Sequence, residues 1–359
     1  MIRIRRGLVL EIVARRPGIC EVLVDVEGRQ ERAVCYEDLT GPVQPGDEVA
    51  LNTTAVHKKL GTGGVHFVIA NHSITATDAP EPGHIMKMRY APCQVKVLAV
   101  EEEASPHAQA MRDCTLLSGT PVLIGGLHSM LGPAAASLHV LDPSLRVVYL
   151  MTDGGALPLA FSRLVHQLKE KGFVQATVTC GHAFGGDFEA INIYSGLLAA
   201  KVAAQADVII AVMGPGVVGT GSTFGFTGLE QGQIVNAVHT LGGLPVAIPR
   251  ISFGDRRLRH RGISHHTITA LTRVALVRAC LPIPSLEPPH MDVIMEQIAC
   301  SGLAEKHDVR ILDGEIGIKA LEETGLQVTT MGRGPQDDPA FFRAAGAAAR
   351  LVAENFIRA

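Results

Sequence analysis

The sequence predicts an α/β protein in which a doubly wound, mainly parallel sheet is preceded by a small N-terminal β-barrel-like domain. The chain has 359 residues, which is long enough for two domains. Hydrophobic residues make up 47% of it but aromatic residues only 4%, so small and β-branched aliphatic side chains must fill the core. That composition suits buried parallel strands. Beyond about residue 93, short apolar segments alternate with glycine-rich loops and helix-forming segments, which is typical of βα units.

Residues 1–77 are expected to form the small all-β domain. Strands are predicted at Gly7–Ala14, Cys20–Val26 and Arg32–Tyr36, again after Pro45–Gly46, and at Val65–Ala70 after the glycine-rich stretch 61–64. About five short strands without intervening helices predict a small barrel. Such a barrel either binds nucleic acid or serves as a structural cap, and the scarcity of aromatic side chains for base stacking favours the cap.

A linker is predicted at 78–92, where proline and glycine cluster, and the α/β domain at 93–359. Its strands are expected at Gln94–Val100, Pro121–Ile124, Leu145–Met151, Val174–Thr179, Asp207–Met213, Leu244–Ile248, Val309–Leu312 and Gln327–Thr330. Its helices are expected at Leu157–Lys171, Phe188–Ala204, Leu229–Leu241, His265–Ala279, Ile316–Glu323 and Pro339–Ile357. In open sheets of this kind, ligands bind outside the carboxyl ends of the strands. The loops that follow strands are therefore where a site is expected.

Composition argues against several classes of protein. The formal net charge of −3 gives no general attraction to nucleic acid or to an anionic membrane. No apolar segment is long enough to span a bilayer, and the charged N-terminus lacks the apolar core of a signal peptide. The seven cysteines form no Cys-x-x-Cys pair, which favours reduced thiols and a cytoplasmic location.

Two of the loops that follow strands carry acid–base groups. In the loop Thr152–Gly155, Asp153 is a candidate catalytic base or ligand, and Gly154 is a candidate ligand-binding residue. The alternative is that Asp153 forms an Asx-turn. In the loop Cys180–Asp187, His182 is a candidate acid or base and Asp187 a candidate orienting carboxylate. The simpler interpretation of Asp187 is the N-cap of the following helix.

The loop 214–228 contains six glycines. Gly214, Gly216 and Gly219 match G-x-G-x-x-G, but the next strand ends in Pro249–Arg250 and not in an acid that could bind a ribose. Walker A spacing starts at Gly216 but lacks the lysine. Both patterns still predict backbone N–H groups that hold an anion. The predicted ligand-binding residues of this loop are Gly214, Gly216, Gly219, Gly221, Ser222 and Thr223.

The loop 250–267 is basic, with five arginines, three histidines and one aspartate. Arg250, Arg256 and Arg257 are predicted to bind an anion, since guanidinium groups suit carboxylate and phosphate. The alternative is a solvated loop that makes salt bridges. His265 and His266 are further candidates for acid–base catalysis.

The same loops contain groups that could bind a metal. Imidazole and carboxylate groups in these loops suit Zn, Mn or Fe, but no tight ligand signature is present, so no metal ligand is predicted. The groups considered are His128, His182, His260, His265, His266, Asp153, Asp187 and Asp255. No G-x-S-x-G sequence occurs, which argues against a serine nucleophile.

Three segments, Cys180–Lys201, Gly214–Gly228 and Ile248–Leu271, together resemble an uncharacterised bacterial family, domain of unknown function 3866. The third segment begins Ile-Pro-Arg-Ile-Ser-Phe-Gly-Asp and continues to Arg-His-Arg-Gly-Ile-Ser-His-His-Thr. The resemblance extends over nearly the whole chain. It implies a bacterial cytosolic protein and brings with it no activity and no catalytic residues.

The residues alone therefore predict a small-molecule enzyme that binds an anionic, phosphate- or carboxylate-bearing ligand at the carboxyl edge of a parallel sheet. The alternative is a non-catalytic metabolite-binding or regulatory protein that uses the same pocket. The cofactor is left unknown, and the anionic ligand is either a substrate or a phosphorylated cofactor. Nucleic acid and membrane are not expected as partners, and a homo-oligomer is left open.

Overall fold

The computed structural model describes residues 1–60 and 63–356, and its internal contacts divide the chain into two compact units, Met1–Leu98 and Ala99–Ala359. Each unit has its own hydrophobic core. Gly61 and Thr62 of the predicted glycine-rich stretch lie outside the described residues, as does Ile357 at the end of the last predicted helix.

The described part of the first unit contains a closed barrel, as the sequence predicts. Its strands are β1 (Ile4–Arg16), β2 (Ile19–Val26), β3 (Arg29–Tyr36), β4 (Glu48–Asn52) and β5 (His66–Asn71). They are ordered β1-β2-β3-β5-β4, β4 closes on β1, and the β3–β5 pair is parallel. Side chains such as Cys20, Val22, Val24 and Leu51 are fully buried inside it. Because successive side chains of a strand point to opposite faces, every second side chain of each strand faces the inside of the barrel.

The rest of the first unit differs in detail from the prediction. Two short helices, α1 (Glu37–Thr40) and α2 (Thr54–His57), interrupt the strand sequence. Strand β6 (Ile85–Lys87) lies within the predicted linker and pairs antiparallel with β7 (Val95–Val97). The predicted strand Gln94–Val100 was assigned to the α/β domain. The observed strand β7 pairs with β6 and does not join the large sheet.

The second unit is built on one sheet in which every strand pair is parallel. Its strands are β8 (Pro121–Gly125), β9 (Val147–Thr152), β10 (Ala176–Thr179), β11 (Phe188–Glu189), β12 (Val208–Met213), β13 (Leu244–Ile248), β16 (Cys280–Pro284) and β17 (Asp308–Leu312), with a separate hairpin of β14 (Ile251–Ser252) and β15 (Gly262–Ile263). The order β11-β10-β9-β12-β8-β13-β16-β17 confirms the predicted doubly wound α/β class. Strands β9 and β12 are buried along their whole length, as expected for a sheet covered on both faces.

Helices connect and cover these strands. They are α3 (Ala108–Asp113), α4 (Leu131–Leu141), α5 (Arg163–Glu170), α6 (Ile193–Val202), α7 (Glu230–Thr240), α8 (His265–Thr269), α9 (Pro288–Ser301), α10 (Leu303–Lys306), α11 (Ile316–Thr324) and α12 (Pro339–Phe356). Helix α4 packs against α11 and α12, and α6 packs against α7. The described helices include none that is both long and apolar enough to cross a membrane.

Several predicted elements are wrong in their bounds. Residues Phe188–Glu189 pair as β11, and α6 begins only at Ile193, where Asn192 forms a capping box. The predicted strand Gln327–Thr330 does not join a sheet. Strand β16 was not predicted, because Pro282 and Pro284 argue against a central strand. They are tolerated because β16 pairs with β13 at a single position, Val246 with Cys280.

Candidate functional site

The loops with unusual composition lie at one edge of the sheet. Because all its strands are parallel, the loops that follow β9, β10, β12 and β13 leave the sheet at the same, carboxyl edge. Strand β9 continues through α5 to β10 on one side, whereas its neighbour β12 continues through α7 to β13 on the other. The connections that leave the neighbouring strands β9 and β12 therefore run in opposite directions along the sheet. Such a switch point opens a crevice in which ligands of this architecture bind.

A carboxylate pair lies at this switch point. Glu230, the first residue of α7, accepts a hydrogen bond from the Thr152 hydroxyl, with Oγ1 and Oε1 2.6 Å apart. A Cβ added to Gly154 would stand 2.8 Å from Glu230 Oε2, so the missing side chain leaves room for this carboxyl group. Asp153 is exposed, and its Oδ2 accepts the His182 backbone N–H at 2.9 Å. The structure thus brings Asp153, Gly154 and the His182 backbone N–H together, and adds Glu230; the contact with Asp153 is made by the His182 backbone and not by the predicted imidazole.

The ionisation of Glu230 is strongly altered by its surroundings. Burial raises its pKa to about 7, the Thr152 hydrogen bond opposes that shift, and the charge of Asp153 adds to it. The sequence alone does not single out Glu230, because an acid in the first turn of a helix has a routine role beside the helix dipole. Its position just after the glycine-rich loop is the signal that could have identified it.

Asp187 holds a turn together. Its Oδ1 lies 2.5 Å from Lys169 Nζ, and its Oδ2 accepts the backbone N–H and the hydroxyl of Thr177. Burial favours the neutral form, but the hydrogen bonds from Lys169 and Thr177 outweigh it and lower the pKa of Asp187. The N-cap interpretation is wrong, since a strand follows Asp187 and Asn192 caps the next helix.

The glycine-rich loop is divided between two places. Gly214 and Gly216 form its base, where Pro215 accepts a backbone hydrogen bond from Ala156 in the loop after β9. Gly221, Ser222 and Thr223 lie at an exposed tip. Gly219 pairs with Phe226 in an isolated β-bridge between base and tip. The predicted set does not therefore converge on one point.

A cavity of about 300 Å³ opens beside the base of this loop. Its lining includes His128, Gly216, Val217 and the segment 327–331, which contains the predicted strand Gln327–Thr330. His128 Nε2 accepts the Ser162 hydroxyl at 2.7 Å, and Nδ1 lies 3.1 Å from the Met213 carbonyl oxygen. Burial lowers the pKa of His128 to about 4, so this ring is neutral at pH 7.

The basic loop forms a paired network around Asp255. Asp255 Oδ2 lies 3.2 Å from Arg250 Nη2 and 2.8 Å from Arg257 Nη2, and 3.7 Å from Arg333 Nη2. The hydrogen bond from Arg257 holds the pKa of Asp255 well below its usual range. Burial lowers the pKa of Arg250 to about 10, which still leaves it charged at pH 7. Arg256 is exposed.

A second carboxylate joins this network from a distant part of the chain. Asp338, 1% exposed, accepts hydrogen bonds from Arg333, from the Ser252 hydroxyl and from the backbone of Phe253. In the sequence, only Asp255 lies near the arginines. In the folded protein Asp338 adds a second negative charge, so more of the positive charge of the network is neutralised than the sequence suggests.

Three histidines of the same loop form a cluster, which we call the histidine cluster: His260, His265 and His266. One ring nitrogen of each lies within 4.8 Å of the others. His260 is buried and its Nδ1 is 2.7 Å from the Ser264 hydroxyl, while the His266 ring stacks on Phe226 at 3.9 Å. Burial lowers the pKa of His260 and His266 to about 3; Arg250 adds to the shift at His260, and the neighbouring rings of His265 and His260 add to it at His266. Burial lowers the pKa of His265 as well.

The comparison with protein families places the chain. A family model described as a protein of unknown function (DUF3866) matches residues 32–349. The chain belongs to the DUF3866 family. No curated protein and no solved structure is similar enough to the chain to be matched.

In this DUF3866 protein, the carboxyl edge of the sheet thus holds a carboxylate pair, an arginine network and a histidine cluster. The last two are adjacent, because Arg250 and His266 line one small cavity with Gly126 and Gly228. The chemistry available there is proton transfer by Glu230, charge-assisted binding by guanidinium groups and ligation by neutral imidazoles.

Proposed function

We propose that the protein is a small-molecule enzyme that binds a phosphate- or carboxylate-bearing ligand at the carboxyl edge of the sheet and transfers protons through Glu230. The observation that carries this proposal is the Glu230 carboxyl group, half-buried at the switch point with a pKa raised to about 7. A group that titrates near the working pH serves equally well as a proton donor and a proton acceptor.

The surroundings of Glu230 support a catalytic role over a structural one. A carboxylate that only stabilised α7 would gain from the helix N-terminus while exposed, and nothing would be gained by burying it next to Asp153. Perturbed carboxyl groups in clefts are concentrated at functional sites. Asp153 is proposed as a positioning residue, since its charge disfavours ionisation of Glu230.

The anion would be held by the arginine network and by backbone N–H groups of the glycine-rich loop. Three guanidinium groups face two carboxylates in the network, so a positive charge remains uncompensated there. Replacing Arg256 and Arg257 together with alanine is expected to weaken an anionic ligand at least about ten-fold. The histidines His182, His265 and His266 remain candidates to contact it.

A screen followed by a turnover assay tests the proposal. Phosphorylated and carboxylated metabolites would be ranked by thermal shift, and conversion of the best ligands followed by NMR. Glu230→Gln is expected to keep ligand binding and to lose turnover by about 10²–10⁴-fold. Glu323→Gln, an exposed carboxylate on α11, is the matched control and should turn over like the wild type. Wild-type turnover by Glu230→Gln would contradict the proposal.

The alternative is a non-catalytic metabolite-binding or regulatory protein that uses the same edge. It requires the anion site but no titrating carboxyl group. A ligand that stabilises the wild type and is recovered unchanged under every condition tested would favour this alternative. A bacterial cytoplasm is proposed as the location, and the free state of the described cysteines supports it.

A further inference from the structure

The histidine cluster contains buried ring nitrogens that have no protein partner. Among the described residues, neither Nε2 of His265 nor Nε2 of His266 has a hydrogen-bond partner, although both atoms are buried. A buried polar atom without a partner costs free energy, and a native protein rarely leaves two of them side by side. Something other than the described protein atoms is expected to satisfy them.

We propose that His260, His265 and His266 form a binding site for a divalent transition metal, with zinc as the best fit. Three imidazoles with one open position are a ligand set used by catalytic zinc. Because Zn–N bonds measure about 2.0–2.1 Å, nitrogens on a tetrahedral ion stand about 3.4 Å apart. The nitrogens of the cluster already lie within 4.8 Å of one another, so small ring rotations would complete the site.

Neighbouring residues orient two of the three rings, His260 and His266, as metal ligands require. Ser264 contacts His260 Nδ1 at 2.7 Å, which leaves Nε2 of that ring as the ligating atom. Phe226 lies parallel to the His266 ring, 3.9 Å away, and fixes its plane. Gly219 supplies space, because an added Cβ would stand 3.2 Å from Cε1 of His266.

The arginines near the cluster determine what else the metal binds. Arg259 Nε lies 3.4 Å from His260 Nε2, and its side chain is exposed, so it can withdraw when an ion enters. Three neutral imidazoles leave the full charge of the ion uncompensated among guanidinium groups. An anion is therefore expected as the fourth ligand, in contact with both the metal and an arginine.

This site is independent of the proton transfer proposed for Glu230, because metal binding is measured without any substrate. The full-length protein, freed of metal with a chelator, would be titrated with Co²⁺ while its visible absorption is recorded, and bound Co²⁺ would then be displaced with Zn²⁺. One ion per chain is expected to bind, with the intense absorption of a four-coordinate site.

Variants identify the ligands. His265→Gln and His266→Gln, both at half-buried positions, should each weaken Co²⁺ binding at least about ten-fold, the smallest loss typical even of residues that only orient a ligand. His239→Gln, at an exposed position on α7, is the matched control and should bind like the wild type. Thermal unfolding of each metal-free variant verifies that it is folded.

A measurement on the wild type avoids dependence on variants. Zn²⁺ should shift the imidazole ¹⁵N signals of three of the 15 histidines in the chain. Absence of saturable metal binding, or equal affinity in the wild type and both variants, would overturn the proposal. Stabilisation of the metal-free protein by inorganic phosphate, with no binding of Co²⁺ or Zn²⁺, would also overturn it and would identify the rings as anion donors.

Discussion

At the level of single residues, the proposed proton transfer depends on Glu230 and on the free energy needed to ionise its carboxyl group. Its Oε1 has one strong hydrogen bond, from Thr152, and Asp153 adds negative charge nearby. A residue selected for stability would not combine partial burial with a like charge, because both disfavour the carboxylate. Proteins tolerate such groups at functional sites and offset their cost elsewhere.

This cost predicts a pH-dependent stability difference. The folded protein raises the pKa of Glu230 from its ordinary value of 4.5 to about 7, so it binds this proton more tightly than the unfolded chain does. The contribution of Glu230 to stability is therefore fully present below pH 4.5 and is lost as the pH rises through about 7. Glu230→Gln removes this loss.

Glu230→Gln should therefore be more stable than the wild type at pH 8, by up to about 3 kcal/mol, and similar to it at pH 4. Urea unfolding at the two pH values measures the difference. The exposed control Glu323→Gln should show no such crossover. A variant that is equally destabilised at both pH values would mean that Glu230 is a structural residue.

At the level of secondary-structure elements, the segment 333–338, just before α12, holds the basic loop 250–267 in place through hydrogen bonds. Asp338 accepts the Ser252 hydroxyl at 2.5 Å, two backbone N–H groups, and Arg333 Nε at 3.1 Å. The bonds from the Ser252 hydroxyl and from the two backbone N–H groups join residues about 85 positions apart in the chain, and Asp338 is almost fully buried. Loss of its charge would leave Arg333 and two N–H groups with a weaker acceptor.

Asp338→Asn is expected to destabilise the protein by about 1.5–3 kcal/mol, the range for hydrogen bonds to charged groups. Asp313→Asn is the matched control, since Asp313 pairs with Arg350 at the surface and its side chain is 62% exposed. The control should cost less than about 1 kcal/mol. Equal losses in the two variants, measured by urea unfolding, would show that the basic loop does not depend on Asp338.

Local patterns predicted most elements because strand and helix periods differ. Strands β9, β12 and β13 and helices α7 and α12 were found within a few residues, since each combines an apolar pattern with a loop of glycine or polar residues. Strand β16 was missed because its prolines normally argue against a central strand. They are tolerated here because β16 pairs with β13 at only one position. Such an exception depends on register, which no local pattern contains.

At the scale of the whole molecule, the sequence predicted which loops share an edge but not which side chains meet there. The shared edge follows from the parallel strands, whose carboxyl ends all lie on one side of the sheet. Which side chains meet there depends on contacts between distant segments, such as Thr152 with Glu230 and Arg333 with Asp255. The histidine cluster is local in sequence, but its convergence follows from the hairpin of β14 and β15, which the sequence did not predict.

The two compact units lead to a prediction about deletion. Each has its own core, so a fragment of residues 99–359 should fold cooperatively without the barrel. It should bind the anionic ligand found in the screen with an affinity close to that of the full chain, although its solubility or assembly is expected to change. Circular dichroism and calorimetric titration test this. A folded fragment that binds no ligand would show that the barrel contributes to the site.

The central claim is that Glu230 exchanges a proton near neutral pH at the carboxyl edge of the sheet. The most direct measurement is a ¹³C NMR titration of the glutamate carboxyl carbons, in which the Glu230 signal is assigned by its absence from Glu230→Gln. A midpoint near pH 7 is expected for this carboxyl group. A midpoint near its ordinary value of 4.5 would contradict the account, because the carboxyl group would then be fully ionised at neutral pH.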